Sequence, residues 1–291
     1  MAGRLRSDGI GPVREHPVRL SGKSIMLTGA ARGLGRACAV AFAKEGADLA
    51  LVDIARDLPE VPYSLGTASQ LAHTAALCRE HGSAVITAQA DVRDLAAVEG
   101  AVAEACDRFG TLDVLVNNAG IAAPAGKAAH EIAEHEWALM IDVDLSGAWR
   151  MIKAVGGIMA ARKSGSIVNI ASTAGLVGYR NFAGYVAAKH GLVGLTKAAA
   201  LDYAPVKVRV NAVCPGSVRD DQRAEGRMLS EIARALDLPV AEHEAAFLEA
   251  QPMNALIEPE DVAAAAVWLA SEESRQVTGS VVTVDGGFTT R

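Results

Sequence analysis

Thr28-Gly29-Ala30-Ala31-Arg32-Gly33-Leu34-Gly35 lies between a short apolar run, residues 24–30, and a helical pattern, residues 34–45. Glycines there let the backbone turn tightly and come close to a ligand. A helix opened by such a turn offers unpaired N–H donors and a partial positive charge to an anion. Strand, glycine turn and helix in that order open the doubly wound α/β folds that cradle a pyrophosphate. The spacing is Gly-x-x-x-Gly-x-Gly rather than Gly-x-Gly-x-x-Gly. A glycine cluster alone also suits a tight turn without a ligand. Its place between strand and helix is what favours a nucleotide.

The rest of the chain repeats the alternation. Strands are expected at 48–54, 84–92, 112–118, 166–172, 208–214 and 280–285. Helices are expected at 95–109, within 131–162, and at 182–203, 227–236, 241–250 and 259–270. This rhythm implies crossover connections and a parallel sheet covered on both faces. Right-handed crossovers make it a doubly wound, Rossmann-type sheet of about seven strands. No internal repeat or linker divides the chain. Residues 21–291 therefore read as one dinucleotide-binding domain behind a polar, aperiodic arm, residues 1–20. Two excursions interrupt the rhythm: 55–67, which holds Pro59, Pro62 and Gly66, and 217–256. Both start at strand ends, where ligands sit in an open parallel sheet. Long excursions at such places serve as lids or binding loops.

Composition narrows the partners. Of 291 residues, 51% are hydrophobic but only 4% aromatic, so the apolar fraction is Ala, Val and Leu. That suits small-residue helices on a Val/Ile sheet rather than a stacking surface. A net charge of −6 argues against general affinity for nucleic acid or an anionic membrane. No apolar run reaches the roughly 20 residues of a membrane helix. The N-terminal residues, with Arg4, Arg6, Asp8, Arg14 and Glu15, do not resemble a secretory signal. Cys38, Cys78, Cys106 and Cys214 stand far apart, which disfavours a zinc site or disulfide framework and fits a reducing cytosol. His130 and His135 are five apart, whereas two metal ligands on one helical face need four. No metal is expected, and the expected location is cytoplasmic.

Three further features carry chemistry. Asp53, with Ile54, ends the second strand about 20 residues beyond the glycines, where a carboxylate accepts the adenosine ribose hydroxyls. A 2′-phosphate about 4 Å from it would cost roughly 4 kcal/mol at an effective dielectric of about 20. Arg32 offsets only part of this, so NAD is favoured over its phosphorylated form. Asp91-Val92 ends the third strand, placed to meet adenine. Asn117-Asn118-Ala119-Gly120 ends the fourth, small enough for close backbone approach.

Tyr185 and Lys189 share a helical face, and Ser172 ends a strand. Bringing a tyrosine from about 10 toward 7 needs about 4 kcal/mol. A Lys⁺ about 5 Å away supplies roughly 3 kcal/mol at an effective dielectric of about 20. Tyr185 is thus a candidate acid/base, tuned downward by Lys189, with Ser172 holding a substrate oxygen. A bare Tyr-x-x-x-Lys pair is more often a surface pair; the glycine turn and Ser172 give this one its meaning. Ser172 has no Gly-x-Ser-x-Gly elbow, which disfavours a hydrolase.

Taken together these pieces resemble the short-chain dehydrogenase/reductase family from about Gly22 to Phe288. The matching residues are Thr28–Gly35, Asp53, Asp91-Val92, Asn117–Gly120, Ser172, Tyr185/Lys189, Pro215-Gly216 and Val284-Asp285-Gly286-Gly287. The resemblance implies hydride transfer between nicotinamide and a secondary alcohol or its ketone. Ser172, Tyr185 and Lys189 are then catalytic. The implied cofactor contacts are Gly29, Arg32, Gly33, Leu34, Gly35, Asp53, Ile54, Asp91, Val92, Asn118, Ala119, Gly120, Tyr185, Lys189, Pro215, Gly216 and Val218. It also implies a homotetramer. Two positions depart from the family pattern. Asp144 stands where an Asn usually holds a relay water, which makes it a variant fourth catalytic residue, and its charge is set to pair with Lys189. Asp220 stands where a Thr usually meets the carboxamide.

More narrowly, Asp53, Pro62–Thr67 and Gln89–Asp94 resemble the mycofactocin-coupled, carveol dehydrogenase-like subgroup. There an insertion after the second strand covers NAD, which implies a tightly bound cofactor and a redox partner that reoxidises bound NADH. The plain alternative for 55–67 is a surface loop. Ala122, Ala174, Val177 and Tyr179 are candidate substrate-pocket residues, and Met228, Phe247 and Met253 are candidates for a lid. Two other functions stand beside this one. One is an NAD-binding sensor or scaffold with little turnover, suggested by the two substituted Asp positions. The other is an acyl-thioester ketoreductase, disfavoured by an acidic lid region carrying Asp220, Asp221, Glu225, Glu242, Glu244 and Glu249.

Overall fold

The computed structural model describes residues 18–239, 243–249 and 251–290. Most of the arm expected over 1–20 lies outside the described residues. Its last residues are tied down: Leu20 is fully buried, its N–H donates to Glu45 O, and Arg19 pairs with the Glu45 carboxylate.

Seven parallel strands form one sheet in the order β3-β2-β1-β4-β5-β6-β7. They are β1 (Ser24–Thr28), β2 (Asp48–Asp53), β3 (Val85–Gln89), β4 (Val114–Asn117), β5 (Gly165–Ile170), β6 (Val208–Pro215) and β7 (Val281–Val284). The chain winds outward from β1 through β2 to β3, then crosses back to β4 and winds the other way. The reversal opens a crevice between the carboxyl ends of β1 and β4.

Central strands β1 and β4 are buried along their whole length, as near-continuous apolar runs should be in a parallel sheet. Alternate residues feed two cores. Met26, Ala50, Leu115 and Ile167 pack under α3 (Leu95–Phe109), α5 (Gly147–Arg162) and α6 (Ala183–Tyr203). Ile25, Leu27, Leu49, Val114 and Val116 pack under α1 (Gly33–Lys44), α2 (Ala68–Arg79) and α9 (Pro259–Ala270). Helix α3 starts where Asp94 accepts from the N–H groups of Ala96 and Ala97, and stops at Gly110 with φ +79°.

Two expectations need correction. Helix α2 follows the insertion 55–67 and was not expected. It is opened by a capping box in which Thr67 Oγ1 accepts from Gln70 N–H and Gln70 Oε1 from Thr67 N–H. The helix expected within 131–162 is broken. A short 3₁₀ turn, Ala129–Glu131, precedes α4 (Glu134–Ile141), and a π-helical turn, Asp142–Ser146, leads into α5. Such a widened turn is common at functional sites. Here it carries Asp144 inward, where it is 1% exposed. Beyond β6 lie α7 (Met228–Ala235) and α8 (His243–Glu249), in the excursion 217–256.

Candidate active site

The crevice floor is built by the ends of β1 and β4. Thr28 Oγ1 accepts from the N–H groups of Asn118 (3.0 Å) and Ala119 (3.1 Å), and Asn118 Nδ2 donates to the carbonyls of Thr28 and Gly29. This stitching brings the two strand ends so close that a Cβ on Gly29 would lie 2.9 Å from Ala119 Cα. A Cβ on Gly35 would lie 1.9 Å from Gly29 O, so glycine at both positions is sterically required. Gly33, with φ +57°, takes the left-handed conformation that favours glycine and faces the excursion after β6, where a Cβ would lie 3.7 Å from Gly226 Cα.

Asp53 closes one end. Its carboxylate accepts from Ala31 N–H and Ala55 N–H, each at 2.9 Å, which holds it at the rim of the glycine turn. Gly66 of the insertion packs directly on it, since a Cβ there would lie 2.9 Å from Asp53 Oδ1. Arg32 donates to Ser64 O at 2.6 Å. The cation closest in sequence to a ribose phosphate is therefore engaged with the insertion. Tyr63 reaches across the crevice, and its hydroxyl accepts from Ala122 N–H at 3.0 Å. Burial pushes the Tyr63 phenol well above its usual range. The 55–67 segment thus touches the glycine turn, Asp53 and the strand end of β4. At the next strand, Asp91 is paired with Arg93 at 2.7 Å and Arg56 at 3.7 Å; burial works against its charge, but these partners hold its pKa below the ordinary value.

The other end holds the titratable cluster. Lys189 Nζ lies 3.2 Å from Asp144 Oδ1, 3.3 Å from Ile170 O and 5.5 Å from the centre of the Tyr185 ring. The Asp144 carboxylate also accepts from Ile121 N–H. Gly120 makes room for the pair, because a Cβ there would stand 2.7 Å from Asp144 Oδ1. Ser172 Oγ accepts from Ala174 N–H, which fixes it at the end of β5.

The proton affinities follow from this packing, and the pull of Lys189 on Tyr185 is downward as expected but is opposed by burial and by Asp144. Burial raises the Tyr185 pKa above 10; Lys189 and Ser172 pull it down and Asp144 pushes it up, and the net is upward rather than toward neutrality. Lys189 is not free to act on the phenol alone, because Asp144 shares its charge. Burial opposes the ammonium as well, yet Asp144 and Tyr185 leave the Lys189 pKa raised. Burial also raises Asp144 against the pull of Lys189 and Ile121 N–H.

One cavity of about 520 Å³ joins the two ends. That is within the size range of small-molecule sites. Asp144, Ser172, Tyr185, Lys189 and all the expected cofactor contacts, from Gly29 to Val218, line it. A dinucleotide fits this wall: glycines where a pyrophosphate must come close, and at the second strand end a carboxylate whose charge opposes a 2′-phosphate.

The substrate side differs from expectation in detail. Ala174 and Tyr179 line the cavity, but Ala122 and Val177 do not; Ala122 serves through its N–H to Tyr63. Met228 and Phe247 line it, while Met253 is 75% exposed and does not. Asp220 is structural. Its carboxylate accepts from Leu229 N–H, Ser230 N–H and Ser230 Oγ, capping α7. Sequence reading missed Tyr63, the π turn and Arg36. The buried Arg36 donates to Ala31 O, Thr74 Oγ1, Arg223 O and Glu225, tying the lid to the glycine turn. Among the described residues no cluster could hold a metal, and burial pushes the Cys38 and Cys78 thiols up to about 12.

Comparison with known proteins agrees with this architecture. A family model described as enoyl-(acyl carrier protein) reductase matches residues 29–289. The chain is 40% identical over 276 residues to a (−)-trans-carveol dehydrogenase of Rhodococcus erythropolis, covering 93% of this chain and 99% of that one. It is 36% identical over 264 residues to a cis-4-hydroxycyclohexanecarboxylate dehydrogenase of Sinomonas cyclohexanicum, covering 91% and 95%. The crystal structure of a carveol dehydrogenase from Mycobacterium avium in complex with NAD superposes with a TM-score of 0.87 at 35% identity, covering 94% and 99%. Glycine turn, strand-end Asp, Ser/Tyr/Lys cluster and these likenesses coincide over nearly the whole chain: it belongs to the short-chain dehydrogenase/reductase family of nicotinamide-dependent oxidoreductases.

Proposed function

We propose that this chain is an NAD(H)-dependent oxidoreductase interconverting a secondary alcohol and its ketone. The observation that carries the reading is the meeting of Ser172, Tyr185 and Lys189 with the glycine turn and Asp53 on one cavity wall. When bound, NAD supplies the hydride acceptor at its nicotinamide ring and a positive charge beside Tyr185. The chain's own residues do the rest. Ser172 donates to the substrate oxygen and fixes its position. Tyr185 takes the hydroxyl proton during oxidation and returns it during reduction. Lys189 stabilises the phenolate and holds the ribose, and Asp144 keeps Lys189 charged inside a dry site. Asp53 selects the unphosphorylated ribose.

The relatives named above for carveol and for a hydroxycyclohexanecarboxylate are dehydrogenases of alcohols, and the same substrate class is proposed here. The sensor reading is weakened by an intact Ser, Tyr and Lys, and the acyl-carrier reading by the acidic lid. The insertion 55–67 is proposed to cover the cofactor, through Tyr63, Ser64 and Gly66, and to slow its exchange. That in turn calls for a redox partner to reoxidise bound NADH. A cytoplasmic homotetramer remains part of the proposal.

The test is Tyr185→Phe, assayed on a panel of secondary alcohols at pH 7–9 with an artificial electron acceptor. General acid–base catalysis supplies about 10²–10⁴-fold, so turnover should fall by at least about 10². Survival within about tenfold removes Tyr185 from the assigned role. Desalted protein should retain NAD; a fully cofactor-free preparation counts against the cover.

A further inference from the structure

We infer that Phe288, which does not line the cavity, sets the choice among secondary alcohols by holding Tyr179 as the cavity wall beside Ser172. This rests on the oxidoreductase reading above and adds to it the pair of residues that reads the bulk on one side of the carbinol carbon.

Tyr179 is placed by its contacts. Its hydroxyl lies 2.7 Å from Thr173 Oγ1, and Thr173 directly follows Ser172 in the chain. Consecutive Cα atoms are about 3.8 Å apart, so the Tyr179 hydroxyl stands within about 9 Å of Ser172 Cα. Both groups depend on one short turn, Thr173–Gly175. There Ser172 Oγ accepts from Ala174 N–H at 3.1 Å, and Gly175 N–H donates to Ser172 O at 2.9 Å. Thr173 is buried, so the Tyr179 hydroxyl is tied to a fixed point. A substrate whose oxygen sits at Ser172 therefore brings a neighbouring substituent of a few carbons up to the Tyr179 ring.

The Tyr179 hydroxyl is engaged with Thr173, so what the residue offers the substrate is ring surface. Phe288 takes one face of that ring, with centroids 5.9 Å apart and planes within 9°. Tyr179 lines the cavity and Phe288 does not, so Phe288 backs the wall from outside. Tyr179 is 38% exposed, and a ring that open to solvent keeps one position only when it is supported from behind. Thr173 and Phe288 supply that support.

Phe288 is itself fixed to the sheet. It follows Val284-Asp285-Gly286-Gly287, a stretch to which the reaction assigns no part. The buried Asp285 carboxylate accepts from Gly287 N–H at 3.0 Å, Thr289 N–H at 2.9 Å and Thr289 Oγ1 at 2.6 Å. Phe288 N–H donates to Asp285 O at 3.1 Å. Gly286 (φ +59°) and Gly287 (φ +86°) supply the left-handed backbone that this turn needs. Gly216 packs against the same turn, since a Cβ there would lie 3.0 Å from Asp285 Cα, and its N–H donates to Val284 O at 2.9 Å. The turn that carries Phe288 thus rests on the ends of β6 and β7, where Pro215 and Gly216 line the cavity. The sheet, through this turn, sets where the wall stands.

The experiment compares cyclohexanol with 2-butanol in the wild type, Tyr179→Ala, Phe288→Leu and Phe288→Tyr, with NAD and an artificial acceptor. The quantity read is the cyclohexanol-to-2-butanol ratio of kcat/KM. Tyr179→Ala should lower it by about tenfold or more, the scale of a few carbons against a pocket wall. Phe288→Leu should lower it by about threefold or more, through KM for cyclohexanol rather than kcat. Phe288→Tyr keeps the stack and should keep the wild-type ratio. Partial unfolding lowers both alcohols together and leaves the ratio alone, so it does not imitate this result. Binding of cyclohexanone to the NAD-loaded protein, followed by calorimetry, should weaken in Phe288→Leu by a factor similar to the KM change. A ratio unchanged in Phe288→Leu overturns the inference, whatever Tyr179→Ala does and even if both alcohols are oxidised. If neither alcohol is oxidised, cyclohexanone binding weakened by Phe288→Leu supports the wall and its backing and instead sinks the oxidoreductase reading. Cyclohexanone binding that is absent, or indifferent to Phe288→Leu, overturns the inference.

Discussion

The floor of the crevice and the tip of the lid both set a carboxylate against a cation, and the two pairs do different work. On the floor, Asp144 and Lys189 are both enclosed, with side chains 0% and 5% exposed. At the lid tip, Arg36 is as enclosed at 3%, but its partner Glu225 is 40% exposed. Where neither charge can return to water, the pair alters proton affinities around it, and Tyr185 is held up by burial and by Asp144. Where one partner can swing back into solvent, the pair is a clasp. Arg36 keeps Thr74 Oγ1 and Ala31 O when Glu225 leaves, so it is never stranded without acceptors. Burial of the second partner is what lets an ion pair act on the proton affinity of a neighbouring group rather than serve only as a fastening.

The strongest way to break this contrast is Lys189→Met. It leaves the Asp144 carboxylate buried without its cation, which should cost about 3–5 kcal/mol of stability in denaturant unfolding. Turnover should fall with it. Replacing both, Lys189→Met with Asp144→Leu, should recover most of the stability and none of the activity. Equal stability of the single and double variants would mean that the floor pair is not coupled.

Asp144→Asn sharpens the electrostatic half. Asp144 raises the Tyr185 pKa, so removing its charge lowers that pKa. Oxidation needs the phenolate, so the rising limb of kcat against pH should move to lower pH. A limb that stays put, or moves up, would show that Asp144 does not act on Tyr185.

Asp220→Ala probes the lid with a smaller effect. It removes the acceptor for two N–H groups at the start of α7 and should cost about 1 kcal/mol, in the range of lost N-caps. Because α7 lines the cavity, KM should rise more than kcat falls in steady-state kinetics.

What the sequence disclosed and what it hid follow the same division. The central strands were legible because burial on both faces writes an unbroken apolar run, as in β1 and β4. The site residues at strand ends were legible because the fold places ligands there, and Gly29, Asp53, Ser172 and Pro215 all line one cavity. Helix α2 was missed although its signals are present: the Thr67/Gln70 capping box, then Leu71, Ala75 and Cys78 at helical spacing. The π turn was not legible because no Gly or Pro marks it; its effect, turning Asp144 inward, exists only in three dimensions. Tyr63 lies in a segment without periodicity, and its partner Ala122 is 59 residues away. The downward pull of Lys189 on Tyr185 and its sharing with Asp144 were legible from helical spacing and charge, whereas the opposing effect of burial exists only in the packed structure.

The smallest effect is expected at the clasp. Gln70 and then Arg36 hold the Glu225 carboxyl below its ordinary value of 4.5. A depressed carboxylate stabilises the state that pairs it above its free pKa and loses that contribution as pH falls through the paired value. Lid docking should therefore be constant from neutral pH down to about 4.5 and weaken below it. Glu225→Gln should abolish this pH dependence and cost less than about 1 kcal/mol, because the partner is screened by solvent. Hydrogen exchange of the amides over 219–236 reports it directly. The Gly33 N–H that donates to Ala224 O at 2.5 Å is the most sensitive position, because it joins the glycine turn to the lid. Exchange there that accelerates on acidification in the wild type but not in Glu225→Gln would identify the clasp as releasable. The Asp144–Lys189 floor should not loosen in this way, because burial raises the Asp144 pKa, so that acidification relieves a buried charge there instead of undoing a depressed carboxylate.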